Sequence, residues 1–161
     1  DRHDTRISLS LSDPWCAERH RDALSTFCRN HVDILFANEE EATSLCQLDG
    51  NAARDALCAD MAEVVITRGA DGAFAGRGDD RHEVAAMPLG TVTDTTGAGD
   101  LFAAGYLFGR TNGYGVRESG IIASIAAGEV ISHIGARPDQ NLAKLVEAGL
   151  VDTGPATAST N

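Results

Sequence analysis

The stretch TDTTGAGDLFAAGYL, residues 93–107, joins a run of small residues to an amphipathic segment. Small residues ahead of a helix let main-chain amides approach an anion with no side chain in the way, and the first turn of the helix adds the positive end of its dipole. The pattern therefore predicts an anion-binding turn at the start of a helix. A carboxylate at Asp100, on the first turn of that helix, would lie beside a bound phosphate and could accept a proton from an attacking hydroxyl group.

A purely structural interpretation of the same residues stays open. Gly97 and Gly99 would then only shape a loop, and Asp100 would stabilise the helix by about 0.3–1 kcal/mol through the dipole. The spacing alone does not decide between the two interpretations, because a short glycine motif is weak evidence by itself.

On both sides of this stretch, short apolar runs alternate with helical patterns. Strands are predicted at residues 7–11, 32–36 and 64–67, with further antiparallel strands at Phe74 and 84–87. Helices are predicted at residues 17–30, 38–48, 52–61, 98–109, 116–133 and 139–148. This order predicts one α/β domain over residues 1–152, built on a largely parallel sheet, and a flexible tail at 153–161.

Ligands of parallel sheets bind beyond the carboxyl ends of the strands. Asn38 and the segment 67–69 follow predicted strands, and residues 94–100 precede a long helix. We therefore expect these three places to converge on one edge of the sheet.

The charge balance excludes some classes of partner. Of the 161 residues, 13 are Lys or Arg and 24 are Asp or Glu, which gives a net charge of −11. Nucleic acid is not an expected partner, because nucleic-acid binding depends on basic side chains that neutralise phosphates. The same charge would repel ATP, so a phosphate site must act locally, through backbone amides, a helix N-terminus and Mg²⁺.

The spacing of the cysteines and the length of the apolar stretches predict the cellular compartment. The four cysteines lack the paired C-x-x-C spacing of a zinc site, and no apolar stretch approaches the length of a membrane span. We expect reduced thiols in a cytoplasmic protein with no membrane partner.

Residues 94–107 resemble, position by position, the second signature of the PfkB (ribokinase-like) family of carbohydrate and nucleoside kinases. The resemblance implies a three-layer α/β/α Rossmann-like sandwich and an ATP-dependent phosphotransferase. It also implies that Asp100 is the catalytic base, and that the amides of Gly97, Ala98 and Gly99 form the anion hole for the transferring phosphate.

The run Asn38-Glu39-Glu40-Glu41 resembles the N-x-x-E motif of this family. That resemblance implies that Asn38 and Glu41 hold Mg²⁺ through water near the phosphates of ATP. The alternative is a helix start, because Asn is a favoured N-cap and Glu three residues later completes a capping box.

Two more segments resemble parts of the family's ATP site. Residues 67–72 resemble the segment that lines the phosphates and ribose, which implicates Thr67, Gly69 and Gly72. Residues 123–128, which run into 132–138, resemble the last helix and loop of the site, where small residues admit the adenine ring; this implicates Ser124, Ala127 and Gly128. The alternative for these small residues is close helix packing.

Many members of the family also bind K⁺ beside the anion hole. The corresponding positions here are Asp94, the carbonyl group of Thr96, and carbonyl groups near Val130 and Gly135. The resemblance therefore gives K⁺ binding at these positions as an open expectation.

The resemblance covers nearly all of this chain but only the later half of the family fold. The glycine-rich N-terminal signature, the aspartate that binds sugar hydroxyls and the small β-sheet lid have no counterpart here. We expect the missing N-terminal half, or a homodimer partner, to contact this part of the fold.

Substrate class is predicted from similarity to branches of the family. Residues 8–39 and 126–138 resemble the adenosine kinase branch, which favours phosphorylation of a nucleoside such as adenosine at its hydroxymethyl group. Two alternatives stay open: a sugar kinase acting on ribose, fructose or 2-keto-3-deoxygluconate, and a nucleotide-binding fragment that is catalytically incomplete.

Overall fold

A computed structural model describes residues 5–152, with side chains described for 5–150. The predicted tail at 153–161 lies outside the described residues. The chain divides into two compact units, residues 1–85 and 86–161, and each is described by itself. The prediction of one domain over 1–152 stays a prediction.

The first unit contains a five-stranded sheet and four helices in its described part. The strands are β1 (Ser8–Ser10), β2 (Ile34–Asn38), β3 (Val64–Thr67), β4 (Ala73–Arg77) and β5 (Asp80–Val84), and they lie in that order across the sheet. The helices are α1 (Pro14–Arg19), α2 (Arg21–His31), α3 (Glu39–Cys46) and α4 (Gly50–Asp60). β1, β2 and β3 are parallel, and β4 and β5 are added antiparallel. The predicted α/β class is confirmed.

The parallel strands form the centre of the hydrophobic core. β2 and β3 are nearly continuous apolar runs, typical of strands covered on both faces, and Leu35, Val64 and Val65 are fully buried. Because the three parallel strands end at the same edge, Asn38 and Thr67 become direct neighbours in the β2–β3 ladder. The sheet thus brings two of the predicted site residues of this unit together.

Most element boundaries in the first unit differ from the prediction by a residue or more, and three of the differences have an identifiable physical cause. The single helix predicted at 17–30 is two helices that meet at His20, because Asp13 caps an earlier helix that begins at Pro14. β2 begins at Ile34 because Val32 still donates its N–H to Cys28 in the last turn of α2. The strand predicted at 84–87 is wrong: Val84 pairs with Ala73, the first residue of β4, so the residues beyond Val84 have no strand to pair with.

The second unit consists of three helices in its described part, α5 (Ala98–Thr111), α6 (Val116–Val130) and α7 (Leu142–Asp152). α6 ends three residues earlier than predicted, and the carbonyl of Ile131 instead accepts the N–H of Thr93 at 2.8 Å. α7 begins later than predicted, at Leu142, because the side chain of Asn141 caps it by accepting the N–H of Lys144 at 3.3 Å, while the amides of Asp139 and Gln140 donate to the side chain of Glu129.

Helices α5 and α6 pack at close range. Tyr106 of α5 is fully buried. A β-carbon at Gly105 would lie 2.8 Å from the Cα atom of Ala123 and 3.1 Å from the carbonyl oxygen of Ile122. The middle of α5 is therefore held against α6 by backbone-to-backbone contact.

All four cysteines are free thiols, as predicted. Burial raises the pKa of Cys28, Cys46 and Cys58. None of the helices in residues 5–152 combines the length and hydropathy needed to cross a membrane.

Gly105→Ala is expected to lower the free energy of unfolding by about 1–3 kcal/mol, because the added methyl group meets backbone atoms that cannot move aside. Urea denaturation measures the change. Gly99→Ala is the matched control, since it is the same substitution in the same helix and its β-carbon meets no atom within 4 Å. That control should be neutral or stabilising, because alanine favours helix over glycine. Equal destabilisation of both variants would contradict this packing.

Candidate functional site

The glycine turn, residues 94–100, leads into α5. Gly97 lies just before the helix with φ of +81°, a conformation that side chains disfavour. A β-carbon at Gly97 would also lie 2.7 Å from the Cβ atom of Ala136. Glycine at position 97 is therefore required both by backbone conformation and by the close approach of Ala136.

The carboxylate of Asp94 holds the glycine turn in place. One of its oxygens accepts the N–H of Thr96 at 2.9 Å, and the other accepts the N–H of Gly135 at 3.1 Å. Hydrogen bonds from Thr96, and then that from Gly135, hold the pKa of Asp94 below its usual value. Three of the predicted K⁺ positions, Asp94, Thr96 and Gly135, thus lie together. The fourth, Val130, is buried and precedes Ile131, whose carbonyl accepts the N–H of Asp94 at 3.4 Å.

The amides of the glycine turn differ in whether they are already bonded. The N–H of Ala98 donates to the carbonyl of Thr95 at 3.1 Å. The amides of Gly97, Gly99 and Asp100 have no acceptor among the described residues. The amide of Asp100 was not singled out by sequence reasoning, although first-turn amides of any helix lack intrahelical acceptors.

Asp100 is exposed on the first turn of α5, and within the described residues its carboxylate makes no ion pair. Gly99 beside it is exposed, and a β-carbon added at this position would meet no atom within 4 Å. No packing requirement in the described residues explains a glycine at position 99, which costs about 0.5–1 kcal/mol relative to alanine inside a helix. A free carboxylate, free amides and an open face are what an anion with a reactive hydroxyl partner would need.

In the first unit, Asn38 and Glu41 form a complete capping box. The Oδ1 atom of Asn38 accepts the N–H of Glu41 at 2.8 Å, and the Oε2 atom of Glu41 accepts the N–H of Asn38 at 2.9 Å. A further bond of 3.0 Å joins the amide nitrogen of Asn38 to the Oε1 atom of Glu41. The helix-start interpretation is confirmed. Direct ligation of a metal would compete with these bonds, whereas a water-mediated contact would use the remaining lone pairs.

No three His, Cys, Asp or Glu side chains within the described part of the chain cluster as a metal site would require. The donor set at Asn38 and Glu41 therefore fits Mg²⁺ only through water. Such partial coordination is usual for Mg²⁺, which keeps several waters and takes other oxygens from substrate phosphates.

The turn after β3 is closed by its own backbone. Thr67 ends β3, Gly69 begins a short 3₁₀ turn, and Gly72 follows with φ of +85°. The N–H of Arg68 donates to the carbonyl of Gly72 at 2.8 Å, and the N–H of Gly72 donates to the carbonyl of Gly69 at 3.2 Å. Thr67, Gly69 and Gly72 thus lie within one tight turn at the carboxyl end of the strand.

The predicted adenine-contacting residues on α6 have different surroundings. Ser124 is buried, and Ala127 is partly exposed. A β-carbon at Gly128 would lie 1.9 Å from the carbonyl oxygen of Met87, so Gly128 has a packing reason of its own. Of the three, Ala127 alone leaves surface that a ligand could contact.

Sequence reasoning missed two charged clusters. In the first unit Glu83 of β5 pairs with Arg54 of α4 at 2.8 Å and also with Arg68, while Arg54 lies 3.5 Å from Glu39. These residues are far apart in the sequence, so no local pattern could reveal the cluster. In the second unit the Oε1 atom of Glu129 lies 3.4 Å from the Nε2 atom of His133. The i, i+4 spacing of these two residues within the predicted helix at 116–133 was a usable signal.

Comparison with known proteins identifies the family. Residues 2–142 match the family described as pfkB family carbohydrate kinase. The chain therefore belongs to the PfkB family, as its motifs predicted.

Individual relatives give a consistent result. An uncharacterized sugar kinase from Archaeoglobus fulgidus is 35% identical over 134 residues, which cover 81% of this chain and 52% of the relative. The solved adenosine kinase of Sinorhizobium meliloti is 38% identical with a TM-score of 0.86, covering 92% of this chain and 46% of that structure. A protein described as ribokinase II from Escherichia coli, solved with ATP and Mg²⁺, shares the fold with a TM-score of 0.77 at 21% identity, covering 92% of this chain and 49% of that structure. The chain thus spans about half the length of the relatives it matches, and its fold is the ribokinase-like α/β fold.

Asp94→Asn is expected to destabilise the protein, because an asparagine has one oxygen acceptor for two amides. The lowered pKa means that the carboxylate contributes fully above its ordinary value of 3.8, and that this contribution is lost as pH falls through the lowered value. The difference in unfolding free energy between wild type and variant should be constant from about pH 5 to 8 and shrink in more acid solution. Urea denaturation across pH measures it, with the exposed Asp79→Asn as control. A difference that grows on acidification would exclude this role for Asp94.

Proposed function

We propose that this chain is the nucleotide-binding and catalytic part of an ATP-dependent kinase that phosphorylates the hydroxymethyl group of a nucleoside such as adenosine. One observation carries the proposal: the exposed carboxylate of Asp100 lies on a helix turn whose neighbouring amides, at Gly97 and Gly99, have no acceptor in the described residues. Membership of the PfkB family supports the same reaction class.

The glycine turn supplies the electrostatic part of the chemistry. Phosphoryl transfer passes through a loose transition state, so catalysis depends mainly on alignment and on stabilising charge at the phosphoryl oxygens. The amides of Gly97 and Gly99, which are unbonded within the described residues, donate to those oxygens, and the amide of Ala98 could join them only by giving up its bond to Thr95. In a chain of net charge −11 this local donor set replaces the attraction that basic side chains would supply.

Asp100 acts as the general base. Its carboxylate accepts the proton of the acceptor hydroxyl as that oxygen bonds to the γ-phosphorus of ATP, while the bond from this phosphorus to the oxygen that bridges it to the β-phosphate breaks and ADP leaves. Because the carboxylate has no ion-pair partner in the described residues, it is available to align the hydroxyl.

ATP and Mg²⁺ are the proposed cofactors. Asn38 and Glu41 would hold Mg²⁺ through water, with the capping box keeping both side chains in fixed positions. Thr67, Gly69 and Gly72 would contact the phosphates and ribose of ATP, and Ala127 the adenine side. Mg²⁺, when bound, neutralises charge on the phosphate oxygens. K⁺ binding by Asp94 and the carbonyl groups of Thr96, Val130 and Gly135 is part of the same proposal.

The relatives support both nucleoside and sugar substrates. Similarity to the adenosine kinase of Sinorhizobium meliloti, at 38% identity, favours a nucleoside. Similarity to the sugar kinase of Archaeoglobus fulgidus, at 35% identity, supports the runner-up, a sugar acceptor. A reducing compartment such as the cytoplasm fits the four free thiols.

A second candidate function is nucleotide binding without catalysis. The observation that favours it is the N–H of Ala98, which already donates to the carbonyl of Thr95 at 3.1 Å and is therefore not free for a phosphoryl oxygen.

An ADP-release assay with adenosine, ribose and fructose separates these functions. Run on this chain and on any longer protein that contains it, the assay should show turnover with adenosine ahead of both sugars. Calorimetric titration with MgATP and MgADP on the same samples measures binding independently. Binding without turnover would favour the second candidate, and binding of neither nucleotide would reject both.

Asp100→Asn is expected to reduce turnover by about 10²–10⁴-fold, because the base and its alignment of the hydroxyl are lost together. MgADP affinity should change little, since the amides are untouched. Asp79→Asn removes a carboxylate from an exposed hairpin turn and serves as the matched control. Near wild-type turnover of Asp100→Asn would refute the assignment of the base.

A further inference from the structure

Glu129 is a carboxylate in a costly position. It lies in the last turn of α6 and is 0% exposed. Burial disfavours its charge, and so does the negative end of the helix dipole at the C-terminus. An apolar residue would pack there without either cost, so the contacts made by this carboxylate need an explanation.

One oxygen of Glu129 gathers most of those contacts. Oε1 accepts the amides of Asp139 and Gln140, both at 2.9 Å, and lies 3.4 Å from the Nε2 atom of His133. Oε2 has no hydrogen-bond partner within the described residues. Hydrogen bonds to an ionised acceptor are stronger than neutral ones, so this side chain fixes the end of the loop to α6.

The segment that Glu129 fixes is the α6–α7 loop, residues 131–141. Its beginning is bonded to Thr93, whose N–H donates to Ile131 at 2.8 Å and whose hydroxyl donates to Ser132 at 3.1 Å. Its end is bonded to Glu129. The two hydrogen bonds to Glu129 join the backbone of 139–140 to the last turn of α6.

Between these two ends the loop contacts the glycine turn twice. Gly135 donates its N–H to Asp94, and Ala136 occupies the space where a side chain at Gly97 would lie. His133, beside Glu129, precedes both contacts by two and three residues. The position of the loop therefore sets the position of the turn that carries the free amides.

We propose that Glu129 is a positioning residue for the glycine turn, acting through the α6–α7 loop on Asp94 and Gly97. The consequence for catalysis rests on the proposed function, whereas the mechanical coupling does not. Glutamine at this position keeps the size and one acceptor oxygen but loses the charge that strengthens both amide bonds. Its NH₂ group would also take the place of the Oε2 atom, which has no hydrogen-bond partner within the described residues.

Hydrogen exchange of backbone amides in the Glu129→Gln chain tests the coupling without any ligand. Exchange should accelerate by about 10- to 100-fold at hydrogen-bonded amides of the loop, such as Gly135, Asp139 and Gln140, and at the hydrogen-bonded amides within 94–101, which are Asp94, Thr96, Ala98 and Leu101, the effect of losing a charge-assisted bond. Amides in the middle of α5 and α6 should keep wild-type exchange, which a general loss of stability would not allow. Glu147→Gln, an exposed carboxylate on α7, is the matched control and should change nothing.

The Glu129→Asp variant keeps the charge on a shorter side chain and should give a smaller acceleration at the same residues. It also serves as the second measurement where the glutamine variant does not fold. Faster exchange confined to 131–141, with 94–101 unchanged, would overturn the proposal. So would acceleration spread evenly over the whole chain.

Measurements of turnover and of MgADP affinity then test whether this coupling affects the reaction. In a sample with measurable turnover, kcat should fall across the aspartate and glutamine variants in the order of their exchange rates at 94–101. Absence of nucleotide binding in the wild type would reject the proposed function while leaving the exchange result intact. Exchange that changes without any change in kcat would reject the positioning role in catalysis.

Discussion

The carboxylate of Asp94 joins two loops that are distant in the sequence, and the arrangement of the second unit depends on it. Thr96 and Gly135, its two amide donors, lie before α5 and after α6. This shared acceptor adds to the bonds from Thr93 to Ile131 and Ser132, which also join the two loops. The left-handed conformation of Gly97 and the close approach of Ala136 are both consequences of holding the loops together.

That constraint explains how an acidic chain can offer a site for an anion. The glycine turn carries no Lys or Arg, and the charge of the whole chain opposes phosphate. Backbone amides at a helix N-terminus act over a short distance and need no basic side chain. Their usefulness depends on being held without partners of their own, which the bonds at Asp94 achieve by fixing the backbone around them.

The glycines of the second unit occupy their positions for different physical reasons. Gly128 is required by the carbonyl of Met87 and Gly105 by the backbone of α6, so packing accounts for both. Gly99 faces open space, and packing in the described residues does not account for it. A glycine-rich helix pattern is therefore ambiguous in the sequence, and the contacts of each residue separate structural glycines from a candidate ligand-facing one.

The sequence by itself determined the family, the α/β class, the helix start at Asn38 and the turn before α5, because each depends on residues within a few positions of one another. Tertiary structure decided the end of β5 at Val84 and the end of α6 at Val130. It also decided the partners of Asp94, Glu83 and Glu129; Gly135, for instance, is 41 residues from Asp94. Local periodicity reports which face of a helix or strand is apolar, but it carries no information on which distant amide or guanidinium a carboxylate will meet. Those pairings exist only once the elements have packed.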